Sequence, residues 1–240
     1  MDVALGGQGA PIVPIGDKLL FGDFDYCLNI GGIANISVGK AEGIQAFDIC
    51  PANQMLNILA EREGKPYDDE GQMAASGSLL IDVLSQLNNQ EFYKRVPPKS
   101  LSNEAARNLA FPFLLESPHA TKDLLRTATE HIADQVAATI RQFPPADNDA
   151  KILITGGGGF NKFLVAQIQA RLEPLHVRVV LPYEQVVKFK EGLVMALIGT
   201  LRWREESNVL SSVTGASRDS ISGALWMGHS YSGEPEVKPA

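Results

Sequence analysis

The run Ile152-Leu153-Ile154-Thr155-Gly156-Gly157-Gly158-Gly159-Phe160-Asn161 constrains the fold more than any other part of this 240-residue chain. Lys151–Thr155 reads as a buried strand that runs straight into glycines. Asn161, a favoured N-cap type, then opens a helix expected over Asn161–Leu172, with Phe163, Leu164 and Ile168 inward. A strand ending this way leaves unsatisfied N–H groups and a partial positive charge at its carboxyl edge. Ligands of open α/β sheets sit at that edge. A purely structural βα turn has little use for four glycines, so the pattern favours anion binding. It is neither the Rossmann fingerprint nor a Walker loop, because no Gly-Lys-Ser/Thr follows.

Upstream, β-rich runs at Lys18–Phe21, Asp25–Ile30, Ile33–Val38 and Gly43–Phe47 are separated by Gly and Asp, which predicts an antiparallel meander. Helical periodicity follows over Ala52–Arg62, Ser76–Leu87 and Leu101–Leu109. A long helix is expected over Thr121–Phe143, with Thr121 as N-cap and Pro144-Pro145 as its stop. Val177–Leu181 reads as a strand and Val187–Arg204 as a helix. Strands, then helices, then a strand–Gly–helix–strand unit specify an α/β layer architecture. The expected folded region is 1–230, and the Pro- and Glu-containing segment 231–240 is expected to be a disordered tail.

Composition acts here mainly by exclusion. With 28 acidic and 21 basic residues and a net charge of −7, the chain is not a generic nucleic-acid surface. A small phosphate site made of backbone N–H groups is still compatible with that charge. Cys27 and Cys50 form no ligand spacing and no disulfide framework, which suits a reducing compartment. No apolar run approaches the roughly 18 to 20 residues that span a bilayer, and no signal peptide is evident, so a cytoplasmic protein is expected. His119, His131, His176 and His229 share no motif, and His131 is expected at a solvent-side or packed position. Hydrolase and zinc motifs are missing.

Two further features bear on chemistry. In Leu28-Asn29-Ile30-Gly31-Gly32-Ile33-Ala34-Asn35, two β runs flank a Gly-Gly pair. This fits a type I′ turn in which glycine supplies positive φ, or a turn whose bare amides form an anion-binding concavity. Among the carboxylates, Asp2 lies just before the Gly6-Gly7-Gln8-Gly9-Ala10-Pro11 loop, and Asp48 just after a β run. Glu191 begins an apolar helical stretch, where a carboxylate is costly unless paired or functional. Each fits a solvated position or a functional one, while Asp68-Asp69-Glu70 reads as a solvated turn. The glycine loop stands almost at residue 1 with no strand before it, so the start reads as a cut or as a frayed tail.

Seven stretches, in order, cover nearly the whole chain to about Gly228: Asp2-Val-Ala-Leu-Gly-Gly-Gln-Gly-Ala-Pro, Leu28-Asn-Ile-Gly-Gly-Ile-Ala-Asn, Phe47-Asp48, Pro97-Pro-Lys-Ser, Ile154-Thr-Gly-Gly-Gly, Glu191 and Ser212-Val-Thr-Gly-Ala. Together they resemble the anhydro-N-acetylmuramic acid kinases of bacterial cell-wall recycling. The resemblance implies an actin-like (hexokinase-type, ribonuclease H-like) ATPase lobe with a mixed sheet flanked by helices. It also implies that the family's N-terminal lobe is largely missing here. The implied cofactors are ATP and Mg²⁺, the implied substrate is 1,6-anhydro-N-acetylmuramic acid, and a homodimer is implied as well. In the family's reaction water opens the anhydro bond while the freed C6 oxygen takes the γ-phosphoryl group.

Carried over residue by residue, the resemblance makes Asp2 the general base and assigns Glu191 and Gln8 to the sugar. Gly31 and Gly32, with Asn29 and Asn35, match a phosphate-binding hairpin. Gly156, Gly157 and Gly158 match an adenosine-side loop, and Asp48 belongs to the nucleotide site; metal ligands are not assigned. The family's Asp-Thr-Gly-Pro-Gly-Asn run is here Asp48-Ile49-Cys50-Pro51-Ala52-Asn53, which adds side chains and limits backbone freedom near Asp48. The expected function is this kinase, with weak or no activity for the chain alone. A non-catalytic nucleotide-binding or assembly module derived from such a kinase is the alternative, and an actin-like kinase of another sugar stays open.

Overall fold

The apolar-polar alternation between Tyr26 and Pro51 becomes three antiparallel strands: β1 (Tyr26–Ile30), β2 (Ile33–Val38) and β3 (Gln45–Pro51). In the computed structural model, which describes residues 1–39 and 43–228, β4 (Ala150–Thr155) and β5 (Val177–Val180) add parallel strands on the other side of β1. The sheet order is β3-β2-β1-β4-β5. The helices are α1 (Pro14–Leu20), α2 (Asn53–Glu61), α3 (Gln72–Ser76), α4 (Ile81–Asn88), α5 (Glu91–Lys94), α6 (Asn103–Leu114), α7 (Thr121–Gln142), α8 (Lys162–Leu172), α9 (Glu184–Trp203) and α10 (Ser211–Thr214). This mixed sheet flanked by helices is the α/β architecture that the resemblance implies. The expected tail at 231–240 lies outside the described residues.

The chain divides into two units, Gly22–Lys188 and Met1–Phe21 with Phe189 onward. In the larger unit, strand register lines up Phe47, Ile36, Leu28 and Ile154 on one face of the sheet. They join Leu125, Ala128, Ile132, Val136 and Ile140 of α7 in one core. Each large apolar side chain buried there contributes about 1.5–3 kcal/mol. In the smaller unit Gly16 of α1 packs on Val194 of α9, where a Cβ would approach Val194 Cγ2 to 2.3 Å. A buried ion pair, Lys190 Nζ to Asp17 Oδ1 at 2.7 Å, lies one helical turn away on α9.

Several expected elements shift. Lys18–Phe21 is not a strand: Pro14 at the first turn pre-sets a helix that carries the chain through Leu20. The Ser76–Leu87 helix is broken at Gly77, where a Cβ would lie 2.1 Å from Lys122 O, so the chain passes too close to α7 for a continuous helix. The short helix expected to end at Leu109 runs to Leu114, capped by Ser102, whose Oγ accepts from Ala105 N at 3.0 Å. Ala120, not Thr121, holds the N-cap position of α7. Asn161 does cap α8, with Oδ1 accepting from Leu164 N at 2.9 Å. No helix among the described residues is long and apolar enough to cross a membrane.

His131 is packed, with none of its surface exposed. Its Nδ1 lies 2.6 Å from Asn88 Oδ1 and its Nε2 lies 3.0 Å from Tyr93 Oη. An amide oxygen only accepts, so Nδ1 carries the proton and Nε2 accepts from the Tyr93 hydroxyl. Burial holds this neutral imidazole at a pKa of about 4, with nearby Asp134 pulling weakly the other way. Between about pH 6.5 and 4 the unfolded chain binds a proton that the folded chain refuses. The contribution is therefore fully present above pH 6.5 and is lost as the pH falls toward 4, by on the order of 3 kcal/mol. Urea midpoints should fall across that window in the wild type, and less steeply in His131→Gln. Identical pH slopes in the two proteins would refute the assignment.

Candidate functional site

At the tip of the β1–β2 hairpin, neither Gly31 nor Gly32 adopts the left-handed conformation that a type I′ turn requires. Steric crowding does not demand glycine either. A Cβ on Gly31 would come no closer than 3.5 Å to a neighbour, and one on Gly32 no closer than 3.7 Å. The turn's carbonyls are occupied by the start of α2: Gly31 O accepts from Asn53 N at 3.0 Å, and Gly32 O from Ala52 N at 2.8 Å. A planar trans peptide places N–H opposite C=O. The N–H groups of Gly32 and Ile33 therefore point away from α2, and Gly32 is exposed.

The second glycine segment lies beside the first, because β1 and β4 are parallel neighbours with Asn29 opposite Thr155. Its glycines divide into two kinds. Gly156 has φ 80° and ψ 169°, and a Cβ there would sit 2.6 Å from Asn29 Oδ1 and 2.7 Å from Ile30 O. On Gly158 a Cβ would meet Ile30 Cγ2 at 2.2 Å. Packing accounts for these two, contrary to the expectation that a βα turn has little structural use for so many glycines. Gly157 has room, with Asn53 Nδ2 as its nearest neighbour at 3.5 Å. A 3₁₀ turn, Gly157–Phe160, precedes the Asn161 cap and starts with unsatisfied N–H groups.

Cross-strand register also collects the polar candidates. Thr155, Asn29, Asn35 and Asp48 form one row across β4, β1, β2 and β3. Asp48 is inside β3 rather than after a β run. A bulge between Ala34 and Asn35 lets Ile49 and Cys50 both join the core while Asp48 stays opposite Asn35. Asp48 Oδ2 accepts from Leu101 N at 2.7 Å, and Asp48 N donates to Lys99 O at 3.1 Å. Burial pushes the Asp48 carboxyl above its ordinary value, and the Leu101 N–H partly offsets that. Lys99 extends over the Phe92 ring, 4.8 Å from its centroid, and burial lowers its pKa.

In the smaller unit Asp2 is only 4% exposed. Its Oδ2 accepts from Gly9 N at 2.8 Å and its Oδ1 from Thr214 Oγ1 at 2.7 Å. A Cβ on Gly7 would fall 2.2 Å from Oδ2, so glycine lets the loop close over the carboxylate. Gln8 N donates to Thr214 O at 3.0 Å, and the residue is exposed. Glu191 lies inside α9 and is exposed, so the desolvation cost expected from its apolar neighbours does not arise. Its neighbour Lys190 is the one turned inward.

Sequence reasoning missed two residues here. Asn53, whose Nδ2 donates to Ile30 O at 3.0 Å, ends the Asp48–Asn53 run, and Thr214 lies in the Ser212–Ala216 motif. Both were inside quoted motifs, but their partners are remote in sequence. Among the described residues no group of three His, Cys, Asp or Glu side chains could hold a metal ion by itself.

The family model described as Anhydro-N-acetylmuramic acid kinase matches residues 1–228. Similar proteins bearing that same name occur in Aliivibrio fischeri (32% identical, covering 94% of this chain and 63% of the relative) and Gloeobacter violaceus (35%, 90% and 60%). Another is from Salinibacter ruber (33%, 93% and 60%). The chain thus spans 60–63% of the length of these relatives. Among solved structures, it is similar to component A of the Acidaminococcus fermentans (R)-2-hydroxyglutaryl-CoA dehydratase, at 16% identity and TM-score 0.46, covering 76% of this chain and 63% of that one. The activator of the Clostridium difficile 2-hydroxyisocaproyl-CoA dehydratase gives 14% identity and TM-score 0.43, covering 73% and 60%. Since the family match runs through residues 1–228 of 240, the chain belongs to the anhydro-N-acetylmuramic acid kinase family.

Proposed function

We propose that this chain contributes the phosphate-gripping turns and the proton acceptor of an ATP-dependent kinase acting on 1,6-anhydro-N-acetylmuramic acid. The observation that carries the reading is the meeting of two glycine turns at the carboxyl ends of β1 and β4, where Gly32 and Gly157 have no internal reason to be glycine. Bare amides at such an edge suit phosphate oxygens. When bound, ATP supplies the γ-phosphoryl group that the C6 oxygen of the opened sugar accepts. Phosphoryl transfer asks the protein mainly for positioning and partial positive charge, which these amides supply.

Asn29 and Asn35 would line the nucleotide side of the row, and Asp48 would hold Mg²⁺. The donor set fits, because Mg²⁺ is commonly bound through one or two carboxylates together with phosphate oxygens and waters. Asp2 would take the proton of the water that opens the anhydro bond. Gly9 N–H and the Thr214 hydroxyl hold its carboxylate at a fixed angle. Gln8 and Glu191, both exposed, would contact the sugar.

Calorimetry with a non-hydrolysable ATP analogue and Mg²⁺ tests the nucleotide reading. Gly32→Ala and Gly157→Ala each place a Cβ where phosphate must approach backbone, and each should weaken binding about tenfold or more. Both positions have room, so stability should hold or rise slightly, as glycine-to-alanine changes do at compatible sites. Wild-type affinity in both variants would remove the basis of the reading.

A further inference from the structure

We infer that Asn53 is a positioning residue for the phosphate-binding amides, an inference that rests on the nucleotide reading above. Three successive carbonyls of the hairpin accept from the start of α2. Asn53 Nδ2 donates to Ile30 O at 3.0 Å, Asn53 N to Gly31 O at 3.0 Å, and Ala52 N to Gly32 O at 2.8 Å. The first N–H groups of a helix have no partner within it; here those groups are directed at the back of the turn. With Gln54 N also reaching Gly32 O at 3.3 Å, Asn53 supplies two of the four donors, one from its backbone and one from its side chain.

Planarity of the peptide converts this anchoring into function. Fixing the carbonyls of Gly31 and Gly32 against α2 turns the N–H groups of Gly32 and Ile33 to the opposite side. The side-chain amide pins the Ile30–Gly31 peptide that enters the turn, and so directs the Gly31 N–H away from α2, at a residue whose missing Cβ would otherwise let it rotate. Asn53 Nδ2 also lies closer than any other atom to the space a Gly157 side chain would fill. One side chain thus braces the first glycine turn from behind and borders the second. It acts through the backbone it holds.

The test uses the full chain, labelled with ¹⁵N and titrated with a non-hydrolysable ATP analogue in Mg²⁺, with melting temperatures recorded in parallel. In the wild type, binding should perturb the amide resonances of Gly31, Gly32, Ile33 and Gly157. Asn53→Ala should weaken the analogue about tenfold, the effect of losing one hydrogen bond's worth of order. The perturbation at Gly31, whose N–H shares a peptide with the Ile30 carbonyl, should shrink most, while those at Gly32 and Ile33, held through backbone donors, and at Gly157 persist. Asn53→Asp, of the same shape and suited to a helix first turn, should weaken binding further by opposing the Ile30 carbonyl, and it decides the matter if the alanine variant does not fold. Asn53→Ser, which keeps a donor, should recover part of the affinity. Wild-type affinity in both Asn53→Ala and Asn53→Asp overturns the inference, as does a uniform loss that tracks the melting temperature. A wild-type chain that does not bind the analogue overturns both this inference and the nucleotide reading, whereas binding unaffected by Asn53 substitutions overturns this inference alone.

Discussion

With Asp2 as the proposed general base, Asp2→Asn is expected to lower the proposed turnover of 1,6-anhydro-N-acetylmuramic acid by about 10²–10⁴-fold, the range that a positioned general base contributes. The affinity for an ATP analogue should stay near wild type. The substitution is a clean one because the surroundings can absorb it. Asn Oδ1 can still accept from Gly9 N–H, and Asn Nδ2 can donate to Thr214 Oγ1. The Thr214 hydroxyl proton then has an acceptor already within reach, Leu210 O at 3.3 Å. What is lost is the capacity to take a proton. Steady-state kinetics on this chain and on the matching residue of a full-length relative, with melting curves alongside, measures it. Retained turnover in the asparagine protein, or an equal loss of nucleotide affinity, would contradict the general-base role.

Gly156→Ala should destabilise the larger unit by about 3 kcal/mol or more and abolish the proposed nucleotide binding with it. Two costs add. The backbone at φ 80° and ψ 169° lies in a region that is essentially glycine-only, worth about 1–3 kcal/mol for another residue. The new Cβ would also press on the Ile30 carbonyl oxygen at 2.7 Å, and backbone cannot swing aside as a side-chain tip can. Overpacking of this kind costs about 1–3 kcal/mol. Urea unfolding monitored by circular dichroism gives the number. The contrast with Gly157→Ala, one residue away and expected to keep its stability, separates a glycine required by the fold from one left open for a ligand. A midpoint unchanged from wild type in Gly156→Ala would show that the loop relaxes freely.

The residues that were legible in advance are those whose signals are local. Glycines after an apolar strand, an asparagine ahead of a helix, and a Gly-Gly pair between β runs each express a backbone preference spanning a few residues. The β4–Gly–α8 unit and the β1–β2 hairpin accordingly formed where the sequence placed them. Where local signals conflict, tertiary contact decides: Gly77 breaks a periodic helix because Lys122 O stands in its path, and Glu191 has apolar sequence neighbours yet faces out.

From the sequence by itself came the α/β class, the family, and a set of candidate site residues, since composition, periodicity and motif order are properties of the chain alone. Only the tertiary structure decided which glycines are required by packing and which are bare. It also brought Asn53 behind the hairpin from 23 residues away, Leu101 onto Asp48 from 53, and Thr214 onto Asp2 from 212. The physical reason is range. Backbone preference acts over a helical turn or a strand pair, whereas the hydrogen bonds that orient these groups join segments whose proximity exists only after the chain has folded.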